Sequence, residues 1–187
     1  VRVELVPARL VHVGPIASRM REIDRIEAEA MGRTPKDALR IGLRASLSAF
    51  TALGEGKPLA MMGVVSTSLI SSRAAVWFLG RDEVFDHGRE MLTIGPKVLG
   101  HWLETFEVLE NIVAVQNVRA TRMLRKWGFE IGDAVQAHGG VDFVPFRLRR
   151  RVGAQLAPSD DGRDEQHNEA NPEEALVREP IALSDQA

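Results

Sequence analysis

The chain has 187 residues, a formal net charge of −2 and no cysteine, which excludes disulfides, thiolate metal sites and cysteine nucleophiles together. A charged fraction of 27% beside 44% hydrophobic residues fits a globular chain of one to two domains with a substantial core. No run approaches the ~18 apolar residues of a membrane span, and the stretch around Glu4 lacks the apolar core of a secretory leader, so a cytosolic protein with no membrane partner is expected. The five histidines never fall at the i, i+4 spacing of a helical metal pair, and no metal is expected.

In chain order, "VRVEL" reads as a short strand. "ARLVHVGPIASRMREIDRIEAEAMG" carries helical spacing up to Gly32. Thr34 as N-cap, Pro35 at the first helical position and Asp37 three residues on predict a second helix start. Two β-type runs around Gly54-Glu55-Gly56-Lys57 predict a hairpin, and "RAAVWFLG" a buried strand. "DHGREMLTIGPKVLGHWLETF" is mostly helix, with a break or kink expected at Gly95-Pro96, where proline removes a donor and disfavours helical geometry in the residue before it. "NIVAVQ" is a strand and "NVRATRMLRKW" a helix: Asn117 is its cap, Ala120, Met123, Leu124 and Trp127 form its apolar stripe, and Gly128 ends it. "FEIGDAVQ" and "VDFVPFRLR" form a terminal strand pair around His138-Gly139-Gly140.

Residues 1–157 therefore make one domain of mixed α+β class. Residues 158–187 hold nine of the 26 acidic residues, two of the 24 basic ones and no aromatic residue, and are expected to be a disordered acidic tail. What precedes Pro158 then holds 22 basic against 17 acidic residues, about +5. Such a tail either stays solvated or screens a basic surface, for which "RLRRR" (residues 147–151) is one candidate.

The order β-α-α-β-β-β-α-β-α-β-β resembles the acyl-CoA N-acyltransferase (GNAT) fold. In that superfamily the helix after the fifth strand commonly reads N-x-x-A-x-x-x-Y-x-x-x-G-F, and Asn117, Ala120, Gly128 and Phe129 hold the matching places. "LGEGKPLAMMGVV" is similar to the family's hairpin between the second and third strands, with Gly63 as its strand glycine. The resemblance implies a central twisted mixed sheet of about seven strands with helices on both faces. It also implies an acetyl-CoA site in which the backbone from Phe78 through Leu79 to Gly80 holds the pantetheine arm, Gly88 and Arg89 sit by the phosphates, and Asn117 contacts the cofactor.

The chain departs from that pattern twice. "GRDEVFDHGREMLT" contains no Q/R-x-x-G-x-G/A phosphate loop, and it brings Asp82, Glu83, Asp86 and Glu90 to the place where anions would bind. Leu124 stands where many members carry the acidic tyrosine, and the chain has no tyrosine. No catalytic residue is assigned.

Within the superfamily, Trp77, Leu79, Gly80, Asn111, Val113, Asn117, Trp127, Gly128 and Phe129 are similar to the signature of small phage proteins related to the T7 gene-thirteen product, over about residues 35–150. That resemblance implies a phage protein in the host bacterial cytoplasm or the virion, with virion or host proteins as partners, a role in virion assembly, and acyl-CoA binding weak or lost. The alternative is an active N-acetyltransferase moving an acetyl group from acetyl-CoA to an amine. Nucleic acid is the least favoured partner: Arg119, Arg122, Arg125 and Lys126 are basic, but no aromatic stacking platform accompanies them.

Overall fold

A computed structural model describes residues 3–68 and 71–151; the acidic segment 158–187 lies outside these residues. The elements run β1 (Val3–Pro7), α1 (Leu10–Ala17), α2 (Glu22–Ala30), α3 (Pro35–Ala45), β2 (Ser48–Gly54), β3 (Lys57–Ser66), β4 (Arg73–Gly80), a 3-10 helix (Asp82–His87), α4 (Gly88–Thr105), β5 (Val108–Ala114), α5 (Val118–Lys126), β6 (Glu130–Ile131), β7 (Gln136–His138) and β8 (Val141–Arg149). The strands form a single mixed sheet in the order β1-β2-β3-β4-β5-β8-β6, with β7 also on β8. Alternate residues of the central strands feed two apolar layers. Met62, Val76 and Leu109 meet α4 and α5 on one face, and Met61, Trp77 and Leu79 meet α1 and α3 on the other.

Local chemistry accounts for most boundaries. Thr34 Oγ1 accepts from the Asp37 N–H at 3.2 Å and starts α3. Glu55 and Gly56, at φ 51° and 75°, make the two-residue turn between β2 and β3. Asn117 caps α5 through the Ala120 N–H at 3.2 Å, and Gly128 leaves that helix at φ 92° while the Phe129 N–H bonds the Leu124 carbonyl at 3.0 Å.

Two helical expectations are corrected, and among the strands "FEIGDAVQ" gives two short ones, β6 and β7, parted at Gly132, whose N–H turns to the Pro145 carbonyl at 2.8 Å. The first long helical stretch is two helices, because the chain between Ser18 and Arg21 is drawn to the end of β4: Met20 bridges Arg81, and the Arg21 N–H donates to the Gly80 carbonyl at 2.9 Å. In the other, α4 runs unbroken through Gly95-Pro96. Pro96 is exposed, so the carbonyl of Leu92 that it leaves unbonded can face water.

The feature that positions the site is a gap in the sheet. Parallel pairing of β4 with β5 covers only Arg73↔Val108, Ala74↔Leu109 and Ala75↔Glu110, after which β4 continues to Gly80 and β5 to Ala114 without pairing to each other. Glu110 pins the closed end, accepting from Arg73 Nε at 2.8 Å and Arg147 Nε at 3.3 Å. Just beyond it, Asn111 Nδ2 reaches across to the Val76 carbonyl at 2.9 Å, one side-chain rung where the backbone ladder has stopped.

Candidate functional site

The splay opens into a cavity of about 690 Å³ that passes through the sheet. Trp77 and Leu79 of β4, Asn111 and Val113 of β5, Leu124 of α5 and Trp127 at that helix's C-cap are among its lining residues. α2 contributes a polar wall of Arg21, Asp24 and Glu27, and the β7–β8 hairpin contributes His138 and Gly139. Gly139 permits the hairpin to dock: a Cβ there would lie 2.5 Å from the Ala30 carbonyl oxygen, and its φ is 53°.

The polar wall is built on a buried ion pair. Arg21 Nε donates to Asp24 Oδ2 at 2.9 Å, its Nη2 bonds Oδ1, and Oδ2 also accepts the Gly80 N–H at 2.9 Å. Both backbone groups of Gly80 are thus consumed by the start of α2. Val76 and Gly80 direct their carbonyls into the gap, and Phe78 lies midway between them, so strand alternation turns the Phe78 N–H and C=O the same way.

Glu27 holds the open end of β5. Its Oε1 accepts from the Ala114 N–H at 3.0 Å and from Asn117 Nδ2 at 2.9 Å, while Oε2 has no hydrogen bond among the described residues. Burial pushes its carboxyl above the usual range, and the two hydrogen bonds only partly offset this. A carboxyl whose proton affinity is raised in the folded state contributes its full stability below about pH 4.5, its unfolded value, and loses it as pH rises through the folded value. Glu27→Gln, which keeps the acceptor oxygen and drops the charge, is expected to match the parent in urea denaturation near pH 4.5 and exceed it near pH 7.5. Equal midpoints at both pH values would show that Glu27 is solvated.

Three side-chain polar atoms are buried without a hydrogen-bond partner among the described residues: Arg21 Nη1, Trp127 Nε1 and His138 Nε2. All belong to residues that line this cavity. Arg21 finds partial compensation in ring faces, its Cζ lying 4.9 Å from the Phe85 centroid and 5.9 Å from that of Phe78. A buried polar atom left unpaired costs about 1–3 kcal/mol, and that of Trp127 lies against α4, 2.5 Å from where a Gly95 Cβ would stand.

The start of α4, where the resemblance would place phosphates, differs. The 3-10 helix runs straight into α4, and the Gly88 N–H is spent on the Phe85 carbonyl. Arg81 and Arg19 are both paired with Glu83, whose carboxyl the Arg81 guanidinium holds below its usual range. Phe85 itself lies under two guanidinium groups, with Arg119 Cζ at 5.1 Å from its centroid and Arg21 at 4.9 Å. The Gly88 amide is therefore not free to meet an anion.

Of the positions named from the sequence, Phe78, Leu79 and Asn117 meet at the cavity. Gly80 is buried with both backbone groups engaged, and Gly88 and the exposed Arg89 lie outside the lining. Sequence reasoning missed Arg21, Asp24, Glu27 and His138. The first three recur at i, i+3 and i+6, a spacing that brings them toward one side of a helix, yet nothing local distinguishes that side from a solvated one.

Splayed β4 and β5 in a mixed sheet with helices on both faces define the acyl-CoA N-acyltransferase fold class, and comparison with solved structures agrees. A GNAT-family acetyltransferase from Bacillus anthracis superposes with a TM-score of 0.60 at 10% identity, covering 80% of this chain and 95% of that one. Spermidine N-acetyltransferase from Vibrio cholerae, in complex with CoA and spermine, gives 0.55 at 11% identity over 79% and 95%. Ribosomal-protein-alanine N-acetyltransferase from Brucella melitensis gives 0.54 at 13% identity over 79% and 99%. No protein-family model and no curated protein matches the chain. Among the described residues no helix is long and apolar enough to cross a membrane, and no cluster of metal-ligating side chains occurs.

Proposed function

We propose that this chain binds an acyl thioester by its pantetheine-like arm in the gap between β4 and β5, and passes the acyl group to an amine. The observation that carries the reading is the polar edge that Arg21, Asp24, Glu27 and Asn117 give an otherwise largely apolar cavity where β4 and β5 part. A bound thioester would supply an electrophilic carbonyl. The chain's own part is then to hold the arm on the Phe78 backbone, exclude water with Leu124 and Trp127, and receive the amine's proton at Glu27 Oε2, a carboxylate whose raised proton affinity suits a general base. Acetyl-CoA fits this cleft at its acyl end. At its diphosphate the Gly88 N–H, the one glycine amide at the start of α4, is already bonded to the Phe85 carbonyl.

A second reading is supported by those same departures: a phage protein acting in virion assembly, with the acyl-CoA site lost. Leu124 is 8% exposed within the apolar core and offers no proton to a leaving thiolate. Thermal denaturation with millimolar acetyl-CoA separates the two. Binding raises stability by ~1.4 kcal/mol for each tenfold excess over Kd, so a concentration-dependent rise in melting temperature supports the acyl reading. An unmoved transition leaves the assembly reading.

A further inference from the structure

The outer face of α5 joins exposed apolar residues to a run of cations. Val118, Arg122 and Arg125 succeed one another at i, i+4 and i+7, opposite the buried Ala120 and Leu124. With Val115, Thr121 and Lys126 they line a groove of about 430 Å³. Val115 and Val118 are 49% and 59% exposed, so the groove has an apolar end beside three cations. None of these cations makes an ion pair among the described residues.

We propose that this groove is the docking site of the chain's own acidic C-terminal segment, through residues 173–183, "EEALVREPIAL". Charge favours it. The sequence before Pro158 carries about +5 and that from Pro158 onward nine acidic against two basic residues, so the largest source of opposite charge is on the same molecule. The pattern fits as well: Leu176, Val177, Ile181 and Leu183 are the large apolar residues after Pro158, and Glu173, Glu174 and Glu179 lie among them.

Reach is ample. β8 ends beside the start of β5, since Arg149 pairs with Val108, and α5 runs back from the far end of β5 toward that edge, where β6 follows it. From Arg151 to Glu173 the chain can span up to ~75 Å at about 3.3–3.6 Å per residue, against ~14 Å for α5. A tether of this kind gives an effective concentration of order millimolar, so even a weak groove is filled.

The absence of cysteine makes the test clean. In the full chain, Ala182→Cys takes a nitroxide label at one place, and paramagnetic broadening of the backbone amides reports what it approaches. Val115, Val118, Arg122 and Lys126 are expected to lose most of their intensity at ~0.1 M salt, while β1 to β3, on the other half of the sheet, keep theirs. The broadening should fade at ~1 M salt, where the screening length falls from about 10 Å to about 3 Å, and in Arg122→Glu/Arg125→Glu, whose β-strand amides serve as the folding control. Uniform broadening, broadening centred elsewhere, or broadening seen only between labelled and unlabelled molecules would overturn the proposal, the last assigning the groove to a second copy. The outcome does not depend on whether the cleft binds a thioester.

Discussion

Arg21→Met is expected to cost about 3–5 kcal/mol of folding stability, the range for breaking one half of a buried ion pair. Arg21 and Asp24 are 2% and 1% exposed, and neither has water to fall back on. Without the guanidinium, the Asp24 carboxyl keeps only the Gly80 N–H at 2.9 Å. Asp24→Leu is expected to lose a similar amount, because it strands the guanidinium and the Gly80 N–H together. The double substitution should lose clearly less than the two single losses added, since no uncompensated charge remains. Urea midpoints of the four proteins check this. Single losses below ~1 kcal/mol would mean the pair is solvated and that α2 is not anchored to β4 through it. The effect extends to the cleft, because this pair and the Arg21 N–H hold the end of the strand whose Phe78 backbone faces the gap.

Gly95→Ala carries the second large effect. In an exposed helix interior that substitution stabilises by about 1 kcal/mol, and here the expected sign is reversed. A Cβ on Gly95 would sit 2.1 Å from Trp127 Cε2 and 2.4 Å from Cζ2, closer than atoms approach, with the indole itself flanked by Phe78 at 6.3 Å between ring centroids. Overpacking of this kind costs ~1–3 kcal/mol or more. Adding Trp127→Leu to Gly95→Ala should recover part of the loss by making room. Thermal midpoints decide it: a Gly95→Ala protein at least as stable as the parent would show that Trp127 does not lie on α4.

These two sites also show where the sequence could be read and where it could not. The corner from Asn117 to Phe129 was legible because its signals are local: a cap, an apolar stripe at 3.6 spacing and a glycine that must leave the helix at positive φ. Both two-residue turns, at Glu55-Gly56 and Gly139-Gly140, were legible for the same reason. The division of α1 from α2 was not, since it is set by Met20 and Arg21 pairing with residues some 60 positions away at the end of β4. The continuity of α4 was hidden likewise. Gly95-Pro96 reads as a breaker, yet the glycine is there to receive the Trp127 indole and the proline faces solvent. At the candidate site, Asn117 came from a motif with fixed spacing, and Phe78 and Leu79 from where the resemblance puts the end of the fourth strand. Arg21, Asp24 and Glu27 came into view only when the gap in the sheet placed their charges against a cavity.

If the cleft between β4 and β5 holds a thioester by its arm, as proposed above, the affinity comes from the arm and little of it from the diphosphate, since the Gly88 N–H is bonded to Phe85. Calorimetric titration of the full chain with S-acetylpantetheine and with acetyl-CoA under the same conditions tests it most directly. Measurable binding of both is expected, with dissociation constants within about tenfold of each other, a difference of ~1.4 kcal/mol or less. Binding of acetyl-CoA alone, or no heat from either, would contradict it.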